Sequence, residues 1–342
     1  MKPIRVAQIG ILHEHAHGKM DSLRKLPEFF EVVGYVDDRD FSVTPHYQTD
    51  LERPYAGLKR LMPEEVFTDP TLEAVAVEVP NNELVPMGLR CVERGLAIHL
   101  DKPAGEELAP YKTLLDQCAA RHLSFQMGYM FRGNPAFQFA IRAIREHILG
   151  EVCEMEIDMN HNYGGEVYQN YLGNFRGGIL WNLGCHLIDF VVAAMGHPSG
   201  VTPFLQSAPG DPAAIRNNCM AVLEYPHATV TLRACSRCGV PSRRMRVVGT
   251  RGSLVLEPIE RFDGQPLEVI LQLAESAGDF SAGTHVVRFP VQTDRYATQL
   301  IEWARCIRGE TTSPYSFEHD LAVHAITLAS SGLPTGLSST QG

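Results

Sequence analysis

The stretch Ile9–Met20, IGILHEHAHGKM, decides the fold. It follows the apolar run Ile4–Ile9 and leads into a helical pattern, so it is either a nucleotide-binding turn or a metal site. Gly10 stands where a strand ends and a turn begins, the place of the first glycine of a dinucleotide fingerprint. The G-x-G-x-x-G pattern then lapses, because Leu12 holds the second glycine's place and His15 the third's. The helix that follows offers free N–H groups, the usual anion site. Asp37 and Asp38 close the next apolar run, where a carboxylate accepts hydrogen bonds from a ribose 2′-hydroxyl and repels a 2′-phosphate. These residues read as a modified dinucleotide turn formed by Gly10, Leu12, His13 and His15, with NAD favoured over NADP. A metal requires convergent ligands. His13 and His17 share a helical face, His15 would point elsewhere, and Glu14 is off the H-E-x-x-H spacing, so no metal is expected. Cys235 and Cys238 form a single C-x-x-C with no second pair to complete a tetrahedron. Histidines that merely fill the turn leave the nucleotide reading intact.

Outward from that turn, short apolar runs recur at Ile4–Ile9, Val32–Val36, Ala74–Val79, Ala97–Leu100 and Leu123–Met127. Amphipathic stretches separate them, such as LAPYKTLLDQCAARHL with Leu114, Leu115 and Cys118 near helical spacing. Runs without alternation suit strands buried on both faces, and the βα rhythm predicts a parallel Rossmann-type sheet over residues 1–130. After about Gly133 the pattern changes to alternation: VCEMEIDM sets Cys153, Met155, Ile157 and Met159 against Glu154, Glu156 and Asp158. MAVLEYPHATVTLRA and RMRVVGTRGSLVLEP read as hairpins, so residues 131–342 are expected to form an α+β domain on a large, mainly antiparallel open sheet. Late in the chain, TDRYATQLIEWARCIRGE places Leu300, Trp303, Ala304 and Ile307 on one helical face before Gly309. The closing LPTGLSSTQG reads as loose.

The chain has 342 residues, enough for two domains, with 44% hydrophobic and 20% charged residues. A formal net charge of -10 without a Lys/Arg block argues against nucleic acid or an anionic membrane surface as partner. No apolar run reaches a membrane span. The N-terminus enters a strand at once, leaving no room for a signal peptide, and the eight cysteines are scattered. A reducing, cytoplasmic setting is the expectation.

Two stretches carry the chemistry. LAIHLDKPAG puts Asp101, Lys102 and Pro103 beyond a strand's C-terminal end, the functional rim of an α/β sheet, although a Lys-Pro there by itself reads as a solvated loop. In GGILWNLGCHLIDF, Gly177 and Gly178 open a turn, and Asn182, His186 and Asp189 recur at helical spacing amid leucines. A lone histidine there would be a core residue, but a polar stripe fits the wall of a site.

Together these motifs resemble the Gfo/Idh/MocA (glucose–fructose oxidoreductase and inositol dehydrogenase) family. VPNNELVPMGLRCVERGLAIHLDKPAG is similar to that family's Thr-Pro-Asn strand end followed by Glu-Lys-Pro, with Val79 and Asp101 as variants. MGYMFRGNPAF is similar to the segment leaving its nucleotide domain. GGILWNLGCHLID matches its G-G-x-x-x-D-x-G-x-H-x-x-D signature with Asn182 replacing the first aspartate. The resemblance implies an NAD(P)-dependent dehydrogenase acting on a secondary alcohol of a sugar or polyol. His186 would be the acid/base and Lys102 would stabilise the substrate oxygen. Asn182 could bind substrate but could not serve as a carboxylate base. Pro80, Asn81, Asp101 and Lys102 would join the turn in holding the cofactor, and Arg132, His161 and Tyr163 would contact substrate. The resemblance also implies a homodimer or homotetramer. Two other readings stand beside it. One is a redox-neutral enzyme that eliminates or hydrolyses through a transient keto-sugar with NAD tightly bound. The other is a non-catalytic NAD or sugar sensor, which an intact Lys102 and His186 oppose.

Overall fold

The computed structural model describes residues 2–44, 53–162 and 164–335. Along the chain come β1 (Ile4–Ile9), α1 (Ala16–Arg24), β2 (Phe30–Val36), β3 (Arg60–Leu61), α2 (Pro63–Thr68), β4 (Ala74–Val77) and α3 (Leu84–Glu93). Next are β5 (Ala97–Leu100), α4 (Leu108–Ala120), β6 (Phe125–Met127), α5 (Pro135–Arg145), β7 (Val152–Met159), α6 (Gly165–Leu172) and α7 (Cys185–Met195). The strands β8 (Gly200–Gln206), β9 (Asn218–Glu224), β10 (Thr229–Cys235) and β11 (Arg243–Gly249) follow. β12 (Gly252–Leu256), β13 (Glu268–Leu273), β14 (Gly283–Arg288), α8 (Ala297–Ile307) and α9 (Phe317–Ser330) complete the order.

Two compact units emerge: residues 1–130 with Tyr296–Leu321, and Phe131–Arg295 with the residues from Ala322 onward. In the first unit six parallel strands run in the order β3-β2-β1-β4-β5-β6, the order of a dinucleotide-binding sheet. The central strands β4 and β5 are buried along their whole length, which is why they read as apolar runs without alternation. The short β3 has no apolar run behind it and escaped the sequence reading.

The second unit holds eight strands in the order β14-β13-β12-β11-β7-β10-β9-β8. They pair antiparallel except β7 with β10, which run parallel in register from Glu154↔Thr229 to Asp158↔Arg233. Alternation is clean where one face is covered: in β13, Val269, Leu271 and Leu273 are buried while Glu268, Ile270 and Gln272 are exposed. In β7, Met155, Ile157 and Met159 are buried as the pattern requires, but Cys153 is exposed.

The segment Tyr296–Leu321 corrects the expected domain range, which ran unbroken from 131 to 342. Its helix α8 buries Leu300, Trp303 and Ala304, with half-buried Ile307 behind them. Trp303 packs its ring 5.7 Å from that of Phe30 and 5.7 Å from that of His99, both in the first unit. An apolar helix face read from sequence reports that a partner exists, not which sheet supplies it. Most of the C-terminal stretch expected to be loose, residues 336–342, lies outside the described residues. Among the described residues no helix is long and apolar enough to cross a membrane.

Candidate functional site

The turn after β1 is built around Gly10, whose φ of +101° lies in the left-handed region. A Cβ there would fall 2.5 Å from the Glu78 carbonyl carbon and oxygen, so only glycine lets β1 run this close to the chain leaving β4. The side chain of Leu12 is buried, 4% exposed, and packs with Ile11, Met20 and Tyr55. Gln8 ties the turn together by donating to the Gly10 and Ala16 carbonyls at 2.9 and 3.2 Å.

The two aspartates at the end of β2 divide their work. Asp37 is held by Arg39, through Nε at 2.9 Å and Nη2 at 2.5 Å, with Arg60 Nη2 at 3.3 Å. Burial alone would raise its carboxyl, but the Arg39 hydrogen bonds keep it below the usual range. Asp38 turns to the Gly10 turn instead, and its Oδ1 accepts from Ile11 N–H (2.7 Å) and Leu12 N–H (3.2 Å). Its Oδ2 is buried without a hydrogen-bond partner among the described residues. A hydroxyl donor would satisfy such an oxygen, whereas both oxygens of Asp37 already accept from Arg39. Burial pushes the Asp38 carboxyl up to about 7.

At the C-terminal ends of β1, β4 and β5 a polar group of unusual density is packed out of solvent. Lys102 is 0% exposed, and its Nζ donates to Glu14 Oε1 at 2.7 Å. Burial alone would raise Glu14, but the Lys102 ammonium pulls it far below the usual carboxylate range. Asn81 Nδ2 donates to the Lys102 carbonyl at 2.9 Å, which fixes the backbone that carries the lysine. Pro80 is buried in the turn after β4 beside it. Asp101 accepts from Lys102 N–H at 2.6 Å and lies 3.0 Å from His15 Nδ1. Burial alone would raise it too, yet His15, His13 and Lys19 hold it well below its ordinary value. Thus Asp101 is tied into the internal network of the first unit.

His13 and His15 stand with ring centroids 5.1 Å apart, contrary to the expectation that His15 points away. That expectation assumed helical spacing from His13, but the helix begins only at Ala16. Sequence reasoning also missed Glu14, Lys19, Glu78 and His99. Glu78 was visible as the lone acid in AVAVEVP, a charge inside a buried run. Lys19 Nζ donates to His99 Nε2 at 2.6 Å, leaving the ring's Nδ1–H for Gln126 Oε1 at 3.0 Å.

Burial, followed by the Lys19 charge, pulls His99 down to about 3. Because unfolding restores an ordinary histidine pKa near 6.5, the unfolded chain binds the extra proton between the two values. This contribution to stability is complete above about pH 6.5 and is lost as pH falls toward 3. Urea unfolding should therefore show stability falling from pH 7 to 5. His99→Gln, whose amide oxygen can still accept from Lys19, should flatten that slope by up to about 1.4 kcal/mol per pH unit. An unchanged slope would show that His99 is not held neutral.

The second unit gathers the remaining expected residues. His186 is fully buried, its ring 5.6 Å from that of Phe131. Asn182 lies in a wider, π-type turn (Leu180–Gly184) ahead of α7, so the regular helical spacing to His186 does not hold there. Its Oδ1 accepts from Tyr168 O–H at 3.0 Å. Arg132 is committed to Asp189, through Nη2 to Oδ1 at 2.6 Å and Nε to Oδ2 at 3.0 Å. This buried fork ties Arg132 to α7. His161 is buried with its ring 5.6 Å from that of Tyr168. Tyr163 lies outside the described residues.

Residues 137–255 match the model of the GFO/IDH/MocA C-terminal domain. Over that segment the chain is similar to oxidoreductases of the Gfo/Idh/MocA family. It is similar to the uncharacterized oxidoreductase YdgJ of Escherichia coli (strain K12), 29% identical over 206 residues, covering 58% of each chain. It is also similar to trans-1,2-dihydrobenzene-1,2-diol dehydrogenase of Bos taurus, 24% identical over 241 residues and 69% of each chain. The first of these alignments therefore spans under two thirds of its relative. Among solved structures, a putative NADPH-dependent oxidoreductase from Desulfitobacterium hafniense superposes with a TM-score of 0.79 at 20% identity, over 97% of this chain and 95% of that one. That likeness establishes the fold, a parallel α/β unit with a second, mainly antiparallel one.

Proposed function

We propose that this protein is an NAD-preferring dehydrogenase that interconverts a secondary alcohol and a ketone on a sugar, polyol or related diol. The observation that carries the reading is the Asp38 carboxyl. One oxygen braces the glycine turn of a parallel 3-2-1-4-5-6 sheet, and the other is buried without a partner. Asp38 and the Gly10 turn would hold the dinucleotide, with Asn81 fixing the adjoining chain. When bound, a nicotinamide supplies the hydride acceptor or donor. His186 would take or return the hydroxyl proton, for which a neutral imidazole is suited. Lys102, kept in place by Glu14, would steady negative charge on the substrate oxygen. The Bos taurus relative, named for a diol substrate, supports chemistry at a CH–OH group.

Calorimetric titration tests the cofactor assignment. NAD should bind at least ten-fold more tightly than NADP, about 1.4 kcal/mol, because Asp38 would repel a 2′-phosphate. The Desulfitobacterium hafniense protein is named for NADPH, which makes this comparison the sharper one. Asp38→Asn keeps an oxygen for Ile11 and Leu12 but loses the charge, so the preference should shrink toward parity. The same change should raise stability at pH 8, where the wild type carries a buried carboxylate, and leave it unchanged at pH 4. NADP bound as tightly as NAD by the wild type would refute the role of Asp38.

The open face of the second unit's sheet supports a homo-oligomer. Ile270 and Val286 pair across it, and with Phe204 they are 43%, 48% and 48% exposed, respectively. We expect light scattering to give a dimer or tetramer at micromolar concentration. A monomer would count against it.

A further inference from the structure

The histidines that break the dinucleotide fingerprint do not scatter. His13, His15 and Asp101 each present a ligand atom, and the three atoms lie within 4.8 Å of one another. His15 Nδ1 is 3.0 Å from Asp101 Oδ1. His13 Nδ1 is 3.8 Å from Asp101 Oδ2 and 3.6 Å from Glu78 Oε2. A tetrahedral ion with ligand bonds of about 2.0–2.2 Å sets its donors roughly 3.3–3.6 Å apart, and these three spacings lie near that range.

Glu78 is the independent observation. It is 0% exposed, its carboxyl oxygens accept from no donor among the described residues, and its carboxyl group stands against that of Asp101. A carboxyl left in that state is costly, and it faces His13 across the gap just described. The far sides of both rings are supported as well. His13 Nε2 is 3.2 Å from the Lys102 carbonyl oxygen, and His15 Nε2 is 3.6 Å from Glu14 Oε1. Ligating histidines are usually oriented in this way, with the second ring nitrogen turned to a carbonyl or a carboxylate.

We propose that His13, His15, Asp101 and Glu78 bind one divalent transition-metal ion of the zinc class. Two imidazoles and two carboxylates suit such an ion better than calcium or magnesium, which take oxygen donors. The ion ties the Gly10 turn to the ends of β4 and β5. Lys19 Nζ, 4.0 Å from Asp101 Oδ2, already gives that carboxylate some cationic support, so the chain folds without the ion and gains rigidity with it. The site adjoins the turn proposed to hold the dinucleotide, its test does not depend on that reading, and it departs from the sequence-based expectation of no metal.

The full chain, stripped with a chelator and dialysed, is titrated with zinc chloride and analysed by elemental mass spectrometry. One zinc per chain should bind below micromolar concentration and raise the unfolding temperature. Glu78→Gln and His15→Ala should each weaken binding roughly 100-fold or more. Replacing Cys235 and Cys238 together by serine should change nothing. Cobalt substitution of the wild type requires no variant to fold, and its spectrum should show tetrahedral bands without thiolate charge transfer. Three results would overturn the proposal: no stoichiometric uptake by the wild type, uptake that survives both Glu78→Gln and His15→Ala, or uptake lost with the cysteine pair.

Discussion

Lys102→Met should lower turnover by roughly 10²–10³-fold, the usual loss when a group that stabilises developing oxyanion charge is removed. His186→Ala should lower it by roughly 10²–10⁴-fold through loss of the acid/base. Dinucleotide affinity should scarcely change in His186→Ala, because the histidine belongs to the second unit while Asp38 and the Gly10 turn belong to the first. Steady-state kinetics with a calorimetric check of NAD binding separates the two effects. Near-wild-type turnover in His186→Ala would make its burial against Phe131 purely structural.

The Lys102 variant needs a folding control, and the structure provides one. Lys102 and Glu14 form a buried pair, their side chains 0% and 4% exposed. Removing one partner leaves the other buried and unmatched, so Glu14→Ala should cost about 3–5 kcal/mol in urea unfolding. Replacing both with neutral residues of similar shape should cost far less. Glu14→Gln combined with Lys102→Met should therefore regain most of the stability while staying as inactive as Lys102→Met alone. A Glu14→Ala loss below about 1 kcal/mol would place the pair in the class of solvated surface bridges.

Much of the first unit was legible because its strands are buried on both faces and its glycine turn has a fixed geometric demand at Gly10. The hairpins β9–β10 and β11–β12 were legible from alternation and their turns. The parallel β7–β10 pairing was not, because strand direction within a sheet depends on connections that alternation does not encode. The return of Tyr296–Leu321 to the first unit was hidden for a related reason, since Trp303 reads as apolar whichever core receives it. Among the candidate site residues, the types at Lys102, His186 and Asn81 were readable, but their partners were not. Asp37 and Asp38 are adjacent and chemically identical, and only the backbone at the end of β2 decides which one meets Ile11 and Leu12. Arg132 shows the same limit, since nothing in its neighbours along the chain announces Asp189.

The most direct test of the dehydrogenase reading is the reduced-nicotinamide absorbance when the enzyme is incubated with NAD and a panel of sugars, polyols and cyclic diols. The reverse direction is followed with NADH and the matching ketones. At least one polyhydroxylated compound should give a continuous signal change with the wild type and a roughly hundred-fold slower one with Lys102→Met. No signal in either direction across the panel, with NAD shown to bind, would contradict the account.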